Sequence, residues 1–154
     1  SPSWVGIRQC AFEEEISCQV ELTKSENVEK SKDSIAEAGL SLFMDENHHY
    51  DIFITKEEND FYANSRLCIG QAESVKEKIK LETNKASFKI FANAYCYQLF
   101  LQTEKDLILL AQAETRYLSS EVAGGFTGVY LGFYAVDSDS SSVATFTNLS
   151  VKNK

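Results

Sequence analysis

The stretch Val122-Ala123-Gly124-Gly125-Phe126-Thr127-Gly128-Val129-Tyr130-Leu131-Gly132-Phe133-Tyr134 decides how the chain is read. It holds four of the seven glycines and four aromatics. Its second half alternates, with Val129, Leu131 and Phe133 on one side and Tyr130 and Tyr134 on the other, a period of two that predicts a strand occupied on both faces. Its first half predicts a loop, because Gly124-Gly125 can take positive φ or admit another backbone closely. Phe126 stands at the junction. On composition alone it belongs in the domain's own core, since burying a Phe is worth roughly 1.5–3 kcal/mol.

Working outward, the same alternation recurs. Ile16, Cys18, Val20 and Leu22 oppose Glu15, Ser17, Gln19 and Glu21, a half-buried strand. Residues 24–37 are polar and predict a surface loop. Gly39–Met44 and the alternating Tyr50, Ile52 and Ile54 predict a hairpin around Asp45–His49. Residues 56–60 predict a second turn. Further strands are expected at Arg66–Gly70, at Val75–Leu81, through Phe88, Ile90 and Ala92, through Tyr95, Tyr97, Leu99 and Leu101, at Leu107–Ala111, and at Ala144–Val151. About ten or eleven strands at roughly 8–12-residue spacing, without a convincing helix, predict an all-β sandwich.

A chain of 154 residues suits one domain with a sizeable core, and no internal repeat or linker divides it. A hydrophobic fraction of 44% and a mean hydropathy of −0.25 read as soluble and globular. No apolar run reaches the ~18–20 residues of a membrane span, so no membrane partner is expected. A formal charge of −8 argues against nucleic acid, which demands a basic stripe. Cys10, Cys18, Cys68 and Cys96 include no C-x-x-C pair, so zinc has little support. Four buried thiols fit a cytoplasmic protein, while their even number would also permit disulfides in a secreted one.

Other constellations read as structural. His48 and His49 follow Asp45 and Glu46, but adjacent strand residues point to opposite faces, so the expectation is one packed and one exposed histidine and no metal site. Asp137–Ser142 begins like a calcium loop but has Ser142 where glycine and Asn148 where glutamate are needed. No cofactor is expected. Tyr95, Tyr97, Phe100, Tyr130, Phe133 and Tyr134 could make a sugar platform, but alternation sends part of each set inward.

The opening stretch, extended back to Arg116-Tyr117-Leu118-Ser119, resembles the C-terminal β-sandwich of glycoside hydrolase family 43, the β-xylosidase and arabinofuranosidase family, with its pattern R-Y-L-S-x-x-x-x-G-G-F-T-G-x-x-x-G-x-Y. Ser1-Pro2-Ser3-Trp4-Val5-Gly6-Ile7-Arg8-Gln9 resembles the start of that domain, S-P-x-F-x-G-R-R-Q. Glu37-Ala38-Gly39-Leu40 and Asn47-His48-His49-Tyr50 resemble E-E-A-G-L and N-x-x-H-Y-Y. The four motifs occur in order and span almost the whole chain. At the other end, Thr145-Phe146-Thr147-Asn148-Leu149 departs from the aspartate-and-aromatic-rich strand usual there.

The resemblance implies a concanavalin-like jelly roll of two antiparallel sheets, residues 1–154 forming one domain that reads as an excised fragment, with a catalytic five-bladed propeller expected before it. Glycoside hydrolysis needs two carboxylates, roughly 6.5–9.5 Å apart for inversion. The family carries them on the propeller, so no catalytic residue is assigned here and the chain alone is not expected to be an enzyme. Glu13-Glu14-Glu15 reads as a solvated strand start. The implied partners are the propeller of the same chain and, in the full enzyme, a xylo- or arabino-oligosaccharide. The resemblance also reverses the reading of Phe126: hinged on Gly124 and Gly125 and followed by Gly128, it would reach across and wall the active site. Such an accessory domain should carry an apolar patch on one side. The other reading of these residues is a freestanding carbohydrate-binding module for xylan-type sugars.

Overall fold

The computed structural model describes residues 3–8, 13–24, 36–76, 78–118, 129–137 and 142–153. They form twelve strands: β1 (Ser3–Arg8), β2 (Glu14–Lys24), β3 (Ala36–Asp45), β4 (His48–Glu57), β5 (Asp60–Ile69), β6 (Ala72–Val75), β7 (Ile79–Leu81), β8 (Lys85–Ala92), β9 (Cys96–Gln102), β10 (Leu107–Glu114), β11 (Tyr130–Asp137) and β12 (Ser142–Asn153), with one 3-10 turn at Thr115–Leu118. The seven-stranded sheet has the order β1-β11-β3-β4-β5-β6, with β7 also on β5; the five-stranded sheet runs β10-β9-β8-β2-β12. All pairs are antiparallel. The family-based expectation of a concanavalin-like sandwich of two antiparallel sheets is met.

Alternation builds the core. Ile16, Cys18, Val20 and Leu22 of β2 are all buried, and so are Leu40 and Leu42 of β3 and Tyr50, Ile52 and Ile54 of β4 in the facing sheet. Two hydrogen bonds tie the sheets together through this layer. The Tyr50 hydroxyl donates to the Glu114 carbonyl at 2.8 Å, and the Ser65 hydroxyl donates to the Leu110 carbonyl at 3.2 Å. The Phe133 and Phe146 rings meet between the sheets at 5.1 Å, so β12 packs despite its departure from the family pattern.

Several expectations need correction. Val75–Leu81 is not one strand: Val75 pairs with Arg66 and Ile79 pairs with Ala63, which lie on opposite faces of β5. A continuous strand would put residues 75 and 79 on one face, so the break at 76–78 changes their parity. β5 begins at Asp60, not Arg66, because Asn64 and Ser65 interrupt the apolar pattern yet are buried and bonded. Glu14 is buried rather than solvated, since the even positions of β2 face inward. Strand β2 takes in residue 24 and β3 residues 36 and 37, and the rest of the expected 24–37 loop, residues 25–35, lies outside the described residues. The 46–47 and 58–59 turns are where expected, with Glu58 at positive φ in the second.

Candidate functional site

Phe126, its hinge residues Gly124 and Gly125, and Gly128 lie outside the described residues, as does Cys10. What the structure places is the surface where that segment enters β11, the outer face of the seven-stranded sheet.

Cross-strand register sets this face. One row runs Gly6, Gly132, Ser41, Asp51, Arg66 and Val75; the neighbouring row runs Trp4, Tyr134, Gly39, Phe53 and Asn64. Directly opposed residues share a face, so register alone brings an acid, a base and a hydroxyl together. Arg66 donates through Nη2 to Glu37 Oε1 at 2.8 Å and through Nη1 to Glu37 Oε2 at 3.1 Å and Asp51 Oδ2 at 3.2 Å. Its guanidinium lies 4.5 Å from the Phe53 ring centroid. The Tyr134 hydroxyl donates to Glu37 at 2.7 Å, and the Ser41 hydroxyl to Asp51 at 2.6 Å. His49 Nδ1 lies 2.9 Å from Asp51 Oδ2.

The carboxylates are thus engaged on nearly every side. Asp51 and Glu37 are buried, and one guanidinium answers both. Buried charges demand such pairing. Burial opposes the charged form of Arg66, but its bonds to Glu37 raise its pKa further. Burial, reinforced by Glu37, raises that of Tyr134 well above a phenol's usual value. This arrangement holds a sheet face together; neither acid has a free oxygen facing a cleft for proton transfer to a sugar.

Beside this network lies an aromatic row that sequence reading missed. A Cβ built on Gly6 would fall 2.0 Å from Trp4 Cη2 and 2.6 Å from both flanking ring carbons; one on Gly132 would fall 2.2 Å from Nε1. Those near-equal distances mean that the indole lies face-down across both glycines. Phe43 and Tyr130 flank it at 5.7 and 6.3 Å between centroids, both inclined to its plane. The glycines of the Trp4-x-Gly6 and Gly132-x-Tyr134 segments were the available signal, since glycine inside a strand marks a close approach.

The six aromatics considered from sequence do not form one platform. Tyr97 and Tyr134 are buried, Phe133 meets Phe146 between the sheets, Phe100 meets Phe91 elsewhere, and Tyr95 projects at a turn. Tyr130 alone joins the new row. His48 and His49 are both half-buried, so the expectation of one exposed ring is corrected: each is held by its own carboxylate, Asp45 for His48 and Asp51 for His49. Among the described residues no three metal-ligating side chains converge. Cys18, Cys68 and Cys96 are free thiols, and burial pushes the Cys18 thiol up to about 11. Of the calcium-like loop, residues 138–141 lie outside the described residues; Asp137 accepts the Ser142 amide at 2.6 Å. No helix among the described residues is long and apolar enough to cross a membrane.

The family described as "Beta xylosidase C-terminal Concanavalin A-like domain" matches residues 1–152. A non-reducing end α-L-arabinofuranosidase, BoGH43B of Bacteroides ovatus, is 34% identical over 143 residues, covering 88% of this chain and 24% of that protein. The solved structure of the Bacteroides ovatus xyloglucan-locus GH43B superposes with a TM-score of 0.82 at 28% identity, covering 99% of this chain and 29% of that one. A xylan β-1,4-xylosidase from Bacillus halodurans C-125 shares the fold, with a TM-score of 0.81 at 20% identity over 99% of this chain and 30% of that one. The chain therefore spans about a quarter to a third of the length of these three relatives.

Proposed function

Because the chain belongs to the β-xylosidase C-terminal concanavalin A-like domain family, we propose that it is the non-catalytic accessory domain of a glycoside hydrolase, packing on a catalytic propeller and lending a loop to its active site. The observation that carries this reading is one of coverage: 88% of this chain corresponds to only 24% of an arabinofuranosidase. The state of the carboxylates supports it. Glu37 and Asp51, the buried acids of the sheet face, are spent on Arg66 and its neighbours.

In this reading the Gly124-Gly125 hinge carries Phe126 to the rim of a neighbouring pocket. There the ring excludes water and narrows the site to a sugar end without moving a proton. The parent reaction would be hydrolysis, with inversion, of a terminal β-xylosyl or α-arabinosyl linkage, and the parent would be cytoplasmic, in keeping with free thiols. The test has two arms. The 154-residue chain alone should not turn over aryl xylosides or arabinosides, and turnover that survives repurification defeats the reading. In the full enzyme, Phe126→Ala should raise KM or slow turnover on short substrates, and unchanged kinetics remove the role of the loop.

One observation favours a second reading, sugar binding by the chain itself. The Trp4 indole is 42% exposed and lies flat on the sheet, a presentation suited to the apolar face of a pyranose. Calorimetry against xylo-oligosaccharides separates the two, and silence there removes the binding module.

A further inference from the structure

Among the described residues, five of the twelve exposed large hydrophobics, Trp4, Val5, Ile7, Tyr130 and Val136, lie on β1 and β11, where the seven-stranded sheet overhangs its partner; the others are divided among β6, β10, β12 and the turn at Tyr95. The five-stranded sheet ends at β12, which meets β11 through Phe146 and Phe133. Strand β1 lies one position further out, so among the described residues no strand opposes its inner face. Val5 and Ile7 point inward by register with Phe133 and Leu131, yet they are 69% and 47% exposed. On the other face, Trp4 and Tyr130 are exposed as well. The edge is thus apolar on both sides of a strand whose outer backbone groups have no sheet partner among the described residues.

Natural sheets protect such an edge with charge, proline or a bulge, and β1 as Ser-Trp-Val-Gly-Ile-Arg has one charge at its end and neither of the others. An apolar surface wrapping both faces of a free edge is what a covered interface looks like when its partner is removed. A saccharide would use the flat indole but would leave Val5 and Ile7 bare.

We infer that the β1–β11 edge is the surface that docks on the catalytic domain of the same chain. This rests on the accessory-domain reading, and a length limit then fixes the place. Phe126 and Tyr130 are four residues apart, and four residues of extended chain span at most about 14 Å. A Phe126 seated in the catalytic domain therefore holds Tyr130 within that distance of it, and Tyr130 is paired directly with the end of β1. The edge and the root of the loop must face the same body. A second copy of the chain has no such tether to the loop.

The experiment uses the full-length enzyme and thiol labelling read peptide by peptide, so that native cysteines do not interfere. Ile7→Cys and Leu109→Cys form a matched pair, since the two side chains are 47% and 48% exposed and Leu109 is on β10 at the far edge of the other sheet. The thiol at position 7 should label at least tenfold more slowly than the one at 109, and Val5→Cys should repeat the result. Equal rates overturn the inference. If Phe126→Ala still alters KM in that case, the accessory reading survives without this docking surface; if it does not, both fall. Slow labelling at position 7 that appears only with added xylo-oligosaccharide assigns the edge to sugar. Slow labelling that disappears on dilution assigns it to a second copy, and either result overturns docking on the catalytic domain.

Discussion

The indole of Trp4 occupies the space above Gly132 where any other residue would place its side chain, with Nε1 2.2 Å from the missing Cβ. Gly132→Ala must therefore lift the ring or shift β1. Overpacking of this kind costs about 1–3 kcal/mol. Trp4 is the single tryptophan of the chain, so its fluorescence reports the event directly. The expected result is a lower denaturation midpoint together with a red-shifted native emission. Adding Trp4→Ala to Gly132→Ala should recover much of the loss, because the clash is between those two residues and a double-mutant cycle isolates it. Additive losses would show that the glycine is needed for some other reason.

Among the described residues, Arg66 is the one cation bonded to both Glu37 and Asp51. Arg66→Met keeps much of the side-chain length and the contact with Phe53 but leaves buried Glu37 without its cation and Asp51 with only His49 and Ser41 to answer it. Removing one partner from a buried ionic group costs about 3–5 kcal/mol. Arg66→Lys should fall between the two, since an ammonium cannot reproduce the two-pronged contact with Glu37. Urea denaturation of the three proteins checks the order; a loss under about 1 kcal/mol for Arg66→Met would mean that water already shares this network.

The strands were legible because apolar residues alternate with polar ones along them. On β2 the alternating Ile16, Cys18, Val20 and Leu22 all turned inward. The outer-face network was not legible for the same reason: Glu37, Asp51 and Arg66 occupy the positions that a half-buried strand gives to solvent. Their burial depends on register, which sets Ser41, Asp51 and Arg66 side by side from three strands, and no local pattern encodes that pairing. Glu14 misled in the same way, a charge within an acidic run that the parity of β2 turns inward. Trp4 was within reach, because Gly6 and Gly132 interrupt strands where only a close neighbour explains a missing side chain.

Among the described residues few polar ties join the two sheets, and Tyr50 supplies one of them from the centre of the core. Tyr50→Phe removes the hydrogen bond to the Glu114 carbonyl with little change of volume. The expected loss is about 1–2 kcal/mol, the worth of one bond plus the cost of a carbonyl left without its donor. Burial, with Tyr97 and other neighbours adding to it, raises the Tyr50 phenol above its ordinary value, so the bond should persist through mild alkali. Thermal or urea unfolding of Tyr50→Phe against the parent measures it, and an unchanged midpoint would show that this bond adds nothing to the apolar contact between the sheets.

His49 makes the stability of this face depend on pH. Burial works against its imidazolium, but the hydrogen bond and charge of Asp51 outweigh burial, with Arg66 opposing and Glu73 assisting, so its folded pKa stands above the ordinary 6.5. A folded value above the unfolded one means that the native state binds the proton more tightly. The stabilisation is fully present below about pH 6.5 and is lost as the pH rises through the folded value. His49→Gln retains a donor toward Asp51 but cannot titrate. The stability advantage of the parent over this variant should therefore be largest near about pH 5.5 and shrink by about pH 8, while acid-limb effects common to both proteins cancel in the difference. Urea denaturation of both proteins across that range provides the comparison. A difference that is flat with pH would show that Asp51 spends its charge on Arg66 and leaves His49 titrating as it does unfolded, and one that grows on the alkaline side would show that burial and Arg66 outweigh Asp51.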